Sequence, residues 1–147
     1  MPSRRSAWPW LRRTFPDHPA HAALVSALVQ HLNALAPFQT EDGMWREVVD
    51  HPGAYEEFSA TAMIATSILR GIRNGWLDAR TWQPRVDRAW HAIVARVGTD
   101  GVLMDVCEST NKQPSLDAYL KRAAILDRDP RGGGMALIFA TEMAALK

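Results

Sequence analysis

Cysteine is almost absent: Cys107 stands alone among 147 residues. A lone thiol excludes an internal disulfide and is compatible with a reducing compartment, so the expected location is the cytoplasm. Excess charge is absent too. The formal net charge is +1, with basic residues interleaved among acidic ones, so the basic stripe of a nucleic-acid binder is missing and no nucleic-acid partner is expected. No run approaches the roughly 18 to 20 apolar residues of a membrane span, so a soluble chain with no membrane partner is expected. Arg4-Arg5 and Arg12-Arg13 flank only Ser6 to Leu11, too short and too Pro-broken for a secretory apolar core. The five histidines, His18, His21, His31, His51 and His91, have no partner at catalytic or metal-ligand spacing, and no metal is expected.

What is present is enough apolar residue for a core. At 47% hydrophobic, a chain of this length fits one domain. Two segments read as near copies, Asp42-Gly43-Met44-Trp45-Arg46-Glu47-Val48-Val49 and Asp100-Gly101-Val102-Leu103-Met104-Asp105-Val106-Cys107. Each follows an amphipathic stretch and precedes a more apolar one, the mark of a helical array whose loops gather on one face.

Residues 1–19 form an irregular, proline-broken segment, and 20–147 carry the array. From Ala20, Leu24, Leu28, Leu32 and Leu35 form a one-sided helical stripe that Pro37 ends. After the first Asp-Gly turn and a short extended run, a helix from about Glu56 to Leu77 stacks Ile64, Ile68, Ile72 and Trp76 and is apolar most of the way round, with Asn74-Gly75 as left-handed terminators. The next helix, about Thr81 to Val97, puts Val86, Ala89, Trp90, Ile93, Val94 and Val97 on one side and charges on the other, with Pro84 in its first turn. Ser115 and Asp117 cap a helix through about Leu126, and Gly132-Gly133-Gly134 lead into a last apolar helix from Met135 to Leu146. The order outer, inner, outer, inner predicts an all-α fold, a partial α/α toroid of helical hairpins joined by short extended loops.

Several blocks then carry a family resemblance. Glu41 to Gly53, Tyr55-Glu56-Glu57, Ser59-Ala60-Thr61-Ala62-Met63-Ile64, Arg70-Gly71-Ile72 and Gly75-Trp76-Leu77-Asp78 stand in order, followed by Tyr119, Arg122, Asp129-Pro130-Arg131-Gly132-Gly133-Gly134 and Glu142. Together they resemble the C-terminal part of glycoside hydrolase families 88 and 105, the unsaturated glucuronyl and rhamnogalacturonyl hydrolases. The resemblance implies a six-hairpin toroid in which an aspartic acid protonates the double bond of a 4,5-unsaturated uronic acid while water adds, with no metal or organic cofactor. It implies an unsaturated uronic-acid oligosaccharide as partner. It also places the family's essential aspartates upstream of the matching region, so this chain is expected to be a truncated, inactive portion, and no catalytic role passes to Asp17, Asp42 or Asp100.

Six residues are candidates for substrate contact. Trp45 could stack on a sugar ring or pack over helix ends as Leu103 would. Arg46 could fork onto a uronate carboxylate or be a solvated loop arginine. Glu57 could face the central cavity or favour the dipole of its helix. Thr61 could line the cavity or bond within its helix. Gly133 belongs to a run whose N–H groups could bind a carboxylate, with Arg131 beside it, or the glycines could serve tight turning and close packing. Cys107 reads as a small buried apolar residue. A part-ring leaves inner helices uncovered, so a non-catalytic helical-repeat module that binds a partner or self-associates is the alternative function.

Overall fold

Each main hairpin helix after the first is started by a carboxylate. Asp78 accepts from Thr81 N at 2.9 Å, Glu57 accepts from Ser59 N at 3.0 Å, and Asp129 accepts from Gly132 N at 2.7 Å. Such caps satisfy donors that the first helical turn cannot satisfy internally. The computed structural model describes residues 18–108 and 111–146; the expected irregular segment 1–19 falls mostly outside them. The helices are α1 (His21–Leu35), α2 (Phe58–Arg73), α3 (Ala79–Ala95), α4 (Leu116–Leu120) and α5 (Pro130–Ala144). Between them lie β1 (Trp45–Arg46), β2 (Glu56–Glu57), β3 (Leu103–Cys107) and β4 (Ala124–Asp127). β1 pairs antiparallel with β2, and β3 with β4.

In chain order two outer–inner pairs result, α1 with α2 and α3 with α5, and α2 is the element on which both α3 and α5 mainly pack. α2 packs against α1, α3 and α5, burying Phe58, Thr61, Ala62, Ala65, Ile68 and Leu69. α3 turns Trp82, Val86, Ala89 and Ile93 inward, while Arg80, Asp87, Arg88 and His91 face solvent. Trp90 of α3 meets Phe139 of α5 edge-on at 5.4 Å, closing the second hairpin. Arg85 and Gln39 lock the first loop to α3: Arg85 Nη1 donates to the Ala36 carbonyl at 2.8 Å, and Gln39 Nε2 donates to the Arg85 carbonyl at 2.9 Å.

Six expectations need correction. Leu24 is 68% exposed and only Leu32 of its stripe is fully buried, because α1 lies along one edge with few neighbours. Pro84 is inside α3, since the Asp78 cap starts that helix at Ala79, two residues before the expected start. Val94 and Val97 are exposed, and Trp82 and Ala92 take the buried positions instead. At the end of α2 only Gly75 takes a left-handed conformation, at φ +74°; Asn74 does not. α4 stops at Leu120, because residues 124–127 pair with β3 rather than continue the helix, and α5 starts at Pro130, drawing all three glycines into its first turns.

A buried loop face

The loops gather at the end where α2 and α5 begin. β1–β2 holds Trp45 opposite Glu57 and Arg46 opposite Glu56. The β3–β4 register breaks between Leu103 and Val106, where Asp105 takes the left-handed φ of +63°. That bulge aims the Asp105 carboxylate at Arg96, whose Nε donates to it at 3.1 Å while Arg96 Nη2 donates to Glu56 at 2.7 Å. The strands thereby join the two repeats. Glu57 completes the junction: its Oε1 accepts from Ser59 N, from the Ser59 hydroxyl at 2.8 Å and from Cys107 N at 2.8 Å.

Beside this junction lies a buried polar cluster. Arg122 Nη1 donates to Glu47 Oε1 at 3.1 Å, with the two side chains only 11% and 8% exposed. The Cys107 thiol approaches the same oxygen at 3.8 Å. Burial raises the Glu47 pKa from its ordinary value; Arg122 and then the thiol pull it partly back. Tyr55 lies alongside with its hydroxyl buried, and burial, then Cys107, Glu47 and Glu57, push its ionisation far upward. Both Glu47 Oε2 and the Tyr55 hydroxyl lack a hydrogen bond of normal geometry, although buried polar atoms are nearly always satisfied.

The six candidates divide into interior and rim. Trp45 is 1% exposed, its Nε1 donating to the Leu35 carbonyl at 2.8 Å and its backbone N–H to Thr61 Oγ1 at 2.9 Å. Thr61 in turn donates to the Glu57 carbonyl at 2.7 Å, so Trp45, Thr61 and Glu57 form one buried chain of bonds. No face of Trp45 is open to a sugar. Arg46 is neither solvated nor open, being half-buried and ion-paired with Glu56 at 3.8 Å. Arg131 stands at the rim, 57% exposed, with Nη2 at 2.9 Å from Asp129. Gly133 donates its N–H to the Asp129 carbonyl at 2.9 Å, and together with Asp129, Pro130, Arg128, Gly101 and Leu103 it lines an open cleft of about 300 Å3. The Asp129 carboxylate already occupies the start of α5, and Arg131 and the Gly132 N–H hold its pKa below the usual carboxylate range. A Cβ at Gly132 would lie 3.0 Å from Val106, so this glycine lets α5 pack onto β3.

Cys107 is thus not an inert apolar residue; its amide and its thiol both serve the cluster. Glu47 and Arg122 meet across 75 residues, a separation at which no local spacing could pair them. Among the described residues no group of histidines, cysteines and carboxylates could hold a metal ion, and no helix is long and apolar enough to cross a membrane.

Residues 11–147 match the family model described as Glycosyl Hydrolase Family 88. The chain belongs to that family. It is 27% identical over 130 residues to the unsaturated rhamnogalacturonyl hydrolase YesR of Bacillus subtilis, a match covering 88% of this chain and 36% of that protein. A crystal structure of a possible member of glycoside hydrolase family 105 from Salmonella enterica superposes with a TM-score of 0.81 at 29% identity, covering 88% of this chain and 34% of that one. A family 88 glycosyl hydrolase from Bacteroides vulgatus shares the fold at a TM-score of 0.76 and 21% identity, covering 93% of this chain and 39% of that one. The chain therefore spans a little over a third of the length of these relatives. The two hairpins are an arc of the six-hairpin α/α toroid that family 88 and 105 proteins adopt.

Proposed function

We propose that this family 88 chain forms part of the wall of a toroid acting on 4,5-unsaturated uronic-acid oligosaccharides, and that these 147 residues do not complete the hydration reaction by themselves. The observation that carries the reading is the loop face: its carboxylates are engaged in caps and ion pairs that hold two repeats in register. Hydration needs a carboxyl group aimed at the double bond from within a closed, arranged pocket. Glu57 and Asp129 are committed as helix caps, and Glu47 is turned into the interior with Arg122. Trp45, Arg46, Glu57 and Thr61 shape the wall from behind, while Arg131 and Gly133 stand where a substrate carboxylate could reach the rim. An unsaturated galacturonyl or glucuronyl disaccharide, followed by loss of double-bond absorbance, tests this directly. No turnover is expected from the 147-residue chain, together with weak uronide binding that Arg131→Ala reduces several-fold; clear turnover overturns the reading.

The exposed apolar residues favour a second role, self-association. Leu24 is 68% exposed on α1, Met63 52% on α2 and Leu137 69% on α5. Large apolar side chains left open at this level mark surfaces suited to association.

A further inference from the structure

We infer that Glu47 and Tyr55 hold one buried water molecule between them, and that this water completes the joint between the first loop and the second repeat. The ligand is the smallest that can both donate and accept, and the two groups that bind it come from opposite sides of the β1–β2 ladder.

The ladder sets the pair. Trp45 stands opposite Glu57 and Arg46 opposite Glu56. The Glu47 N–H donates to the Tyr55 carbonyl at 3.0 Å, so the same register extends by one pair and puts Glu47 opposite Tyr55. Side chains on a strand alternate between faces, and directly opposed residues point the same way with Cβ atoms about 4.5–5.5 Å apart. Trp45, Glu57, Glu47 and Tyr55 therefore share one face, while Arg46 and Glu56 take the other. The shared face is the one that meets β3: Glu57 Oε1 accepts from Cys107 N at 2.8 Å, and the Cys107 thiol lies 3.8 Å from Glu47 Oε1. Cys107, Glu47 and Glu57 each push the Tyr55 ionisation upward, which places its hydroxyl among them.

The unmet hydrogen bonds follow from this arrangement. Glu47 Oε1 is taken by Arg122 at 3.1 Å, and Glu57 by the start of α2 and by Cys107 N. Glu47 Oε2 and the Tyr55 hydroxyl are left over: both atoms are buried, the Glu47 side chain is only 8% exposed, and no group among the described residues bonds to either. Two buried polar atoms without partners are more costly than one immobilised water. They belong to cross-strand neighbours yet do not bond each other, the arrangement that a bridging water serves. A water also suits this pair better than a fixed donor would, because it donates to an ionised carboxylate, accepts from a protonated one and does either toward the hydroxyl. Tyr55 and Cys107 are each partly exposed, so the cluster lies one side chain below the surface and a water enters without unfolding. Held there, it fastens both strands of the first loop beside Arg122 and Cys107 of the second repeat.

A crystal structure of the 147-residue chain should show a water within roughly 2.5–3.0 Å of both Glu47 Oε2 and the Tyr55 hydroxyl. Tyr55→Phe supplies an independent reading. If the hydroxyl is bonded to a water, the variant loses that bond and leaves the carboxyl bare, so the equilibrium constant for unfolding in urea should rise roughly tenfold, and the water should be gone from the variant's crystal structure. A hydroxyl without a partner gives the opposite result, since deleting an unpaired buried polar group removes its desolvation penalty. A Tyr55→Phe variant at least as stable as wild type therefore overturns the inference. So does a wild-type crystal structure in which the Tyr55 hydroxyl bonds Glu47 or Cys107 directly, or in which no water touches both groups.

Discussion

In the first repeat Gly43 sits at φ +99° with the backbone of Arg88 packed so closely that a Cβ would come within 2.6 Å of its carbonyl atoms. In the second repeat Gly101 sits at φ +83°, and a Cβ there would meet nothing within 4 Å. The same Asp-Gly pair therefore does two jobs: at residue 43 the glycine lets the loop and α3 touch, whereas at residue 101 it only turns the chain. The residues that follow differ in the same sense. Trp45 is 1% exposed and bonded through both its amide and its indole, tying α1, β1 and α2 together, while Leu103 is 4% exposed and held by strand pairing with Asp127 and a bridge to Val97. Both loops reach the core, but the first is wedged there by an indole bonded to α1 and an amide bonded to α2, whereas the second is held by strand pairing.

The wedge makes mutation of the first loop the more damaging. Trp45→Ala should cost about 3–5 kcal/mol by loss of a buried aromatic and its cavity, and Leu103→Ala about 2–3 kcal/mol at the shallower end of the aliphatic range. Urea unfolding monitored by circular dichroism measures both, and equal losses would break the distinction. The glycines sharpen it. Gly101→Ala should cost about 1–2 kcal/mol, the penalty of a left-handed conformation for a residue with a Cβ, while Gly43→Ala adds an overlap worth about 1–3 kcal/mol. A Gly43→Ala variant no less stable than Gly101→Ala would mean that the loop simply moves away from α3.

Helices and repeats were legible in the sequence because their signals are local. The Asp-Gly units, the α2 stripe through Ile68 and the outward charges of α3 each lie within one or two turns, and the resemblance to families 88 and 105 correctly places the chain on the toroid. What stayed hidden is non-local. Residues 124–127 could extend α4 as readily as form a strand, and the pairing of Cys107 with Ala124 decides it. Leu24 fits the stripe of α1, yet its burial depends on which neighbours surround the helix, and periodicity cannot report neighbours. The buried loop cluster shows the same limit: Glu47 meets Arg122, and Cys107 N meets Glu57 across 50 residues, by folding alone.

The smallest effects should separate the two loops by pH rather than by magnitude. The Asp129 pKa is held below its ordinary 3.8 by Arg131 and the Gly132 N–H, so its contribution is present above that value and is lost as pH falls through the depressed one. Asp129→Ala should therefore cost about 1 kcal/mol at neutral pH, as a lost helix cap, and flatten the acid limb of the stability curve below pH 3.8. Glu47 behaves oppositely. Burial raises its pKa above the ordinary 4.5 despite Arg122 and Cys107, so the folded state favours the protonated carboxyl, and stability present below 4.5 declines as pH rises through the raised value. Glu47→Gln mimics the neutral form and should change stability at pH 4 by less than about 1 kcal/mol, the size of one exchanged hydrogen bond, while removing that decline at higher pH. Thermal melts of wild type and both variants between pH 3 and pH 8 provide the check. Should Glu47→Gln instead lower stability uniformly above pH 5, Arg122 depends on a charged partner, and the inner loop is held by its ion pair in the same way that the rim is held by Asp129 and Arg131.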